Sequence, residues 1–117
     1  METYTVQDDD RTIEFEGECL GRASSAEAHK PRWIELAMYR TRGGTYITHG
    51  IGRSSVRGER DRPWVQRNDD AAGAVASLYM VGDEGQQYLT RVAHRLLAAA
   101  SLEDSDIDRA YHFERIA

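Results

Sequence analysis

Apolar and polar residues alternate through the first part of the chain with the two-residue period of β-strands. Short β-prone runs at residues 3–6 and 11–20 are separated by consecutive aspartates, which favour turns. In the second run Ile13 and Phe15 fall on one side and glutamates fall on the other, as in a half-buried strand. We expect a bulge at Gly17, because glycine weakens strand pairing. The pattern therefore predicts two strands joined by a tight turn.

Residues 32–53 carry the clearest signal for a strand, a turn and a second strand. Two β-prone runs flank Gly43 and Gly44, and a two-residue Gly-Gly connection suits a type I′ turn, which requires positive φ at both positions. A turn of that length sets Arg42 opposite Thr45 and fixes all later pairs of the hairpin. In that register five apolar residues share one core-facing side: Ile34, Leu36, Met38, Ile47 and Ile51.

The same register predicts a second face of the hairpin that is more open. Three aromatic residues project from it: Trp33, Tyr39 and Tyr46. If the later helices cover only the apolar side, these aromatics are exposed and form a patch for a partner. The alternative is that residues 21–31, or the segment after Arg53, fold over them as a small second core.

Residues 54–68 mix arginines and carboxylates and are interrupted by Gly58 and Pro63, so we expect no regular element there. Guanidinium groups suit phosphate or carboxylate, and an indole can stack on a base. The candidate anion or nucleic-acid patch consists of Arg53, Arg57, Arg60, Arg62, Arg67 and Trp64. In residues 40–67 seven arginines outweigh two carboxylates, a net of +5, and each flank carries −5. The arginines therefore either bind an anion or only neutralise the acidic flanks.

A helical period replaces the strand period after residue 70. We predict helices over residues 71–79, 86–101 and 105–115, and Ser101 with Asp104 has the form of a capping box for the last of them. Strands followed by helices predict an α+β fold. We expect an antiparallel meander of about four strands in the N-terminal part, with two or three C-terminal helices packed on one face.

The length of 117 residues suits a single domain, residues 1–117. Its apolar stretches are far shorter than the ~20 residues that span a bilayer, and nothing resembles a secretory signal. Cys19 is the only cysteine, so no internal disulfide can form. We therefore expect a cytoplasmic protein with no membrane partner.

Recognisable catalytic chemistry is absent from the residue pattern. The four histidines lack metal-ligand spacing, and neither a nucleophile elbow nor a phosphate-binding loop occurs. We therefore predict no catalytic residue, no metal, no cofactor and no enzyme activity.

The leading hypothesis is a small non-catalytic protein-binding module, an inhibitor or accessory factor whose size and arginine-rich composition suit a phage or mobile element. Its expected partner is another protein, bound through the aromatic face or by strand addition, and an edge strand also permits a homo-oligomer. One alternative is a nucleic-acid-binding accessory protein that uses residues 40–67, although a net charge of −5 opposes binding to phosphates. The other is an enzyme with no recognisable motif.

Overall fold

The computed structural model describes residues 1–113, which form a sheet followed by helices and a small hairpin. The strands are β1 (Glu2–Asp8), β2 (Arg11–Ser24), β3 (Arg32–Thr41), β4 (Tyr46–Ser54), β5 (Arg62–Asn68), β6 (Met80–Val81) and β7 (Gln87–Tyr88). The helices are α1 (Ala71–Ala76), α2 (Arg91–Glu103) and α3 (Ser105–Tyr111). Strands β1 to β5 make an antiparallel meander in chain order. The predicted α+β fold is confirmed, with one strand more in the meander than expected.

The additional strand, β5, lies where the sequence predicts no regular element. It pairs with β4, so that Trp64 stands opposite Gly50. A Cβ atom on Gly50 would lie 2.1 Å from carbon Cε2 of the Trp64 indole, so only a glycine leaves room for this ring. Pro63 is tolerated because β5 is an edge strand, where a missing N–H need not break the ladder. The prediction of irregular structure over residues 62–68 is therefore wrong.

The turn between β3 and β4 contains three residues rather than two. The N–H of Thr41 donates to the carbonyl of Thr45 (2.8 Å), and the carbonyl of Thr41 accepts from the N–H of Gly44 (2.9 Å). Gly44 has a φ of +90°, whereas Gly43 is not among the residues with positive φ. A turn that ends in a residue with positive φ is a common three-residue hairpin connection. The predicted pairing of Arg42 with Thr45 is therefore wrong.

A shift of one residue turns one strand of the hairpin over relative to the other. Leu36 and Met38 face the helices, and Leu36 does not pair with Ile51. Ile47 packs on the opposite side of the sheet, and Ile34 is 42% exposed. The predicted single apolar face of five residues therefore does not form.

The sheet is strongly curled, and its concave side encloses a core. The ring centroids of Tyr4 on β1 and Tyr39 on β3 are 4.6 Å apart, although β2 lies between these strands. At one end β1 reaches β5, where the N–H of Asp9 donates to the carbonyl of Pro63 (3.0 Å). The buried residues of this concave core are Val6, Ala37, Tyr39 and Ile47. Their neighbours on the concave side are Tyr4, Ile13, Phe15, Cys19 and Val65.

Helices α1 and α2 cover the convex side of the sheet, with α2 across β2 and β3 and α1 against β4 and β5, and α3 packs against both of these helices. A register shift between Cys19 and Gly21 leaves Leu20 unpaired and turns its side chain into this helix-side core. Its most deeply buried members include Leu20, Met38, Leu96, Leu97 and Ile107. Gly17 pairs regularly with Thr41, so the bulge expected at Gly17 lies three residues further on.

All three helices differ from their predicted limits. Helix α1 ends at Ala76, and α2 begins only after Thr90, whose hydroxyl oxygen accepts from the N–H of Ala93 (3.2 Å). The β6–β7 hairpin occupies the residues between them. Ser101 lies inside α2, so the predicted capping box is wrong. The final helix, predicted to reach residue 115, ends at Tyr111, and residues 114–115 lie outside the described part of the chain.

Asp104 joins the helices to the sheet. It ends α2 and caps α3, where its carboxylate accepts from the N–H of Ile107 (3.0 Å). The same carboxylate accepts from Nη1 of Arg40 (2.9 Å) and from the hydroxyl of Tyr46 (3.0 Å), and its side chain is 1% exposed. Burial and the bond to Asp104 raise the pKa of Tyr46 to about 12. A buried carboxylate with this many donors is fully compensated.

Candidate functional site

The three aromatics expected on one open face lie in three different surroundings. Tyr46 is 4% exposed and belongs to the helix-side core, because the observed register places it opposite Arg40. Tyr39 is 3% exposed and belongs to the concave core. Trp33 remains half-buried at the surface. A second core therefore forms, as the alternative expected, but strands β1 and β2 supply much of its cover rather than residues 21–31.

Trp33 lies in a groove at the end of the sheet where β3 begins and β4 ends. We call this the Trp33 groove; the loop of residues 55–61 forms its other wall, and its volume is about 1040 Å³. Ile34 also lines it, and its side chain is 42% exposed. The groove therefore combines an indole and an aliphatic side chain with the arginine-containing loop.

A hydrogen bond holds the indole in place, and ion pairs hold the loop. Nε1 of Trp33 donates to Glu35 (3.0 Å), and Nε of Arg53 donates to the other carboxylate oxygen of Glu35 (3.1 Å). Arg53 also donates to Asp61 in the loop (2.9 Å). The bonds from Trp33 and Arg53 lower the pKa of Glu35. This carboxylate, which the sequence did not single out, therefore orients Trp33.

A second pair fixes the loop to the start of β3. Nε of Arg32 donates to the carboxylate of Glu59 (2.9 Å), which also accepts from the hydroxyl of Ser54 (2.5 Å). The hydrogen bond from Arg32, followed by the one from Ser54, lowers the pKa of Glu59 to about 2. The loop is thus ordered by carboxylates that alternate with its arginines.

The predicted arginine patch does not form one continuous surface. Arg53, Arg60 and Arg62 line the Trp33 groove, but Arg67 stands opposite Ile47, away from it. Trp64 packs against the helix-side core. Four of the arginines are exposed and make no ion pair with any residue from 1 to 113: Arg57, Arg60, Arg62 and Arg67.

The β6–β7 hairpin exposes apolar side chains that the sequence analysis missed. Met80 is 51% exposed, Val81 67% and Tyr88 44%. Its turn repeats the three-residue geometry between β3 and β4: Gly82 and Gln86 are joined by a hydrogen bond of 2.8 Å, and Gly85 has a φ of +82°. The two glycines three residues apart were the signal that could have identified it.

Within residues 1–113, no group of three or more His, Cys, Asp or Glu side chains is placed to hold a metal ion. In the same part of the chain, no helix combines the length and apolar character needed to cross a membrane. Comparison with protein-family models, curated proteins and solved structures finds no match to the chain. Function is therefore inferred from the geometry of the Trp33 groove.

Proposed function

We propose that the chain is a small non-catalytic protein-binding module that acts in the cytoplasm. In this proposal it is an inhibitor or accessory factor of the kind that phages and mobile elements encode, and its partner docks in the Trp33 groove. The observation that carries the proposal is the half-buried indole of Trp33, held by Glu35 beside the exposed Ile34.

The groove has the composition of a protein interface. Binding energy at such interfaces is concentrated in a few aromatic and arginine side chains within a polar rim. Trp33 supplies a pre-oriented aromatic, and Arg60 and Arg62 supply rim charges. Arg32 and Arg53 are already neutralised by carboxylates of the chain, which favours a partner of mixed charge over a polyanion.

Replacement of the indole tests the proposal. Trp33→Ala is expected to weaken partner retention, typically by ~2 kcal/mol or more for an anchor residue, while the melting temperature changes little. The measurement is capture from a lysate of the native host by immobilised wild type and variant, with melting curves on the same samples. Tyr88→Ala, which removes an exposed aromatic outside the groove, is the matched control.

Two results would contradict this assignment. Equal capture by wild type and Trp33→Ala would remove the groove as the binding site. A collapse of stability in Trp33→Ala would mean that the indole serves packing rather than recognition.

Strand addition at a sheet edge, including pairing with a second copy, is another mode of protein binding that we propose. The ends of β1 and β5 nearest the Trp33 groove already contact each other, since the N–H of Val65 donates to the carboxylate of Asp8 (3.3 Å). The remaining length of either edge is the part that suits a partner strand. Sedimentation over a range of protein concentrations tests for self-pairing, and a monomer throughout would remove that mode.

The second candidate function is nucleic-acid binding, favoured by exposed arginines without carboxylate partners in residues 1–113. Reversal of Arg57, Arg60 and Arg62 to glutamate is expected to abolish retention on single-stranded DNA, and wild-type affinity is expected to fall steeply with salt. The measurement is a binding titration at two salt concentrations. No binding at low salt, or binding that salt does not weaken, would exclude this function.

A further inference from the structure

A smaller cavity of about 370 Å³ opens on the concave side of the sheet, next to the Trp33 groove. We call it the Arg22 cavity. Arg22 on β2 and His49 on β4 are both direct neighbours of Ala37 on β3, so they flank it from either side. With strands about 4.8 Å apart, their Cα atoms are separated by roughly 10 Å. The small side chain of Ala37 leaves the space between them unfilled.

Arg22 is an exposed residue, and among the described residues it is the one charge that lines this cavity without a charged partner. Its guanidinium lies over the ring of Tyr39, with its carbon 5.7 Å from the ring centroid. Among the described residues Arg22 has no carboxylate partner, whereas neighbouring Arg53 is paired with both Glu35 and Asp61. A guanidinium presents forked donors that match the two oxygens of a carboxylate.

The other walls suit the apolar part of a ligand. Ala37 and Ile51 line the cavity together with the His49 ring, whose Nε2 is sealed from solvent. Burial, opposed by a backbone hydrogen bond to Gln7, lowers the pKa of His49 and favours its neutral form. Glu35 also lines the cavity, but its charge is compensated by Arg53, which reduces its repulsion of a bound anion.

We propose that the Arg22 cavity binds a small organic carboxylate, with the carboxylate on Arg22 and the apolar part against Ala37 and Ile51. The volume lies at the small end of the range for ligand pockets, about 300–1000 Å³. The carboxylate has two sources: a free small molecule, or a side-chain or terminal carboxylate of a protein that docks in the adjoining Trp33 groove. Binding of a small carboxylate does not depend on the proposed protein-binding function.

The test uses benzoate as the probe and benzamide as its neutral isostere, with calorimetry and NMR of the His49 ring as readouts. Wild type is expected to bind benzoate, to bind benzamide at least about tenfold more weakly, and to show shifted His49 resonances with benzoate. Arg22→Gln is expected to lose about tenfold or more in benzoate affinity. Arg11→Gln is the control, because Arg11 is exposed at the far end of β2 and makes no ion pair within residues 1–113.

The proposal is overturned if wild type does not bind benzoate, if benzamide binds equally well, or if Arg22→Gln binds like wild type. Should Arg22→Gln unfold, Arg22→Met keeps much of the aliphatic stem but removes the charge, and affinity equal to that of wild type in this variant also overturns it.

Competition then distinguishes the sources. Displacement of a captured protein by benzoate assigns the carboxylate to the partner. If benzoate binds but the amount of captured protein does not change, the carboxylate is assigned to a free ligand. Absence of any captured protein contradicts only the protein-binding function, since benzoate binding to the isolated chain is measured separately.

Discussion

Gly50 is the residue on which the placement of Trp64 depends. The indole occupies the space that a side chain at position 50 would need, and a Cβ there would lie 2.1 Å from two ring carbons. We expect Gly50→Ala to force the indole out of place and to lower the free energy of unfolding by about 1–3 kcal/mol. Urea denaturation followed by tryptophan fluorescence measures this change.

Gly52, two residues along the same strand, is the matched control. A Cβ on Gly52 would lie 3.8 Å from its nearest neighbour, the carbonyl of Arg62, which is an ordinary contact. Because alanine also restricts the unfolded chain, Gly52→Ala is expected to leave stability unchanged or slightly higher. An equal loss in both variants would show that the indole is not what makes Gly50 necessary.

The raised pKa of Tyr46 predicts how the stability of the fold changes at alkaline pH. This pKa is raised to about 12 in the folded protein, above the ordinary value of 10.0. Below pH 10 the phenol is neutral in both states, so its contribution is fully present. As pH rises from 10 through 12 the unfolded chain ionises first, and we expect this contribution, up to about 2–3 kcal/mol, to be lost.

Chemical denaturation at several pH values between 9 and 12 measures that loss. Burial also raises the pKa of Tyr4 and Tyr39, so a comparison with Tyr46→Phe isolates the contribution of Tyr46. The variant is expected to be less stable at pH 9 and to show a shallower decline. A decline as steep as that of wild type would contradict the assignment.

At the scale of elements, the β3–β4 turn depends on one glycine rather than two. Gly44 has a φ of +90°, which a β-branched residue resists. We expect Gly44→Val to lower stability by about 1 kcal/mol or more. Gly43 does not have positive φ, and a Cβ there would meet only Thr41 Oγ1 at 3.9 Å, so Gly43→Val is expected to cost less.

Thermal unfolding of the two valine variants provides the comparison. Equal melting temperatures of the two variants would contradict the claim that Gly44 requires positive φ and Gly43 does not.

The existence of this hairpin was predictable from the sequence, but its register was not. Gly43-Gly44 is compatible with a two-residue turn and with the observed three-residue turn. The alternation of apolar and polar residues normally decides between such registers, because one face of the sheet is exposed to solvent. Here both faces are buried, since Met38 enters the helix-side core and Tyr39 enters the concave core. Either register therefore buries apolar residues.

The residue types of the candidate site were predictable from the sequence, but their arrangement in space was not. Trp33 and several arginines stood out by type, whereas their meeting depends on the path of residues 55–61. That path is fixed by Glu59 and Asp61, which pair with Arg32 and Arg53 on β3 and β4. Pairing between separate elements leaves no local pattern, so the sequence did not show which arginines these carboxylates bind.

At the scale of the whole molecule, Asp104 is the joint between the sheet and the helices. Its removal leaves the buried hydroxyl of Tyr46 and the first turn of α3 without their acceptor, whereas Arg40 keeps a second carboxylate partner, Glu18. We expect Asp104→Ala to lower the free energy of unfolding by about 2–4 kcal/mol, from the lost helix cap and the unpaired buried hydroxyl. Asp106→Ala is the control: Asp106 pairs with Arg109 at the surface, with a side chain that is 60% exposed.

Surface pairs of this kind contribute at most about 1 kcal/mol. Denaturant titration of both variants measures the difference, and a loss below that level in Asp104→Ala would contradict the role of Asp104 as a joint.

The order of the elements along the chain has a consequence for synthesis on the ribosome. All described members of the concave core lie within β1 to β5, which are complete at residue 68. The helix-side face of the same sheet, with Leu36 and Met38, stays uncovered until α2 and α3 are complete at residue 111. At about 5–20 residues per second this interval lasts several seconds. In that time a chaperone that binds apolar strands would meet the convex face, while the concave face is already closed.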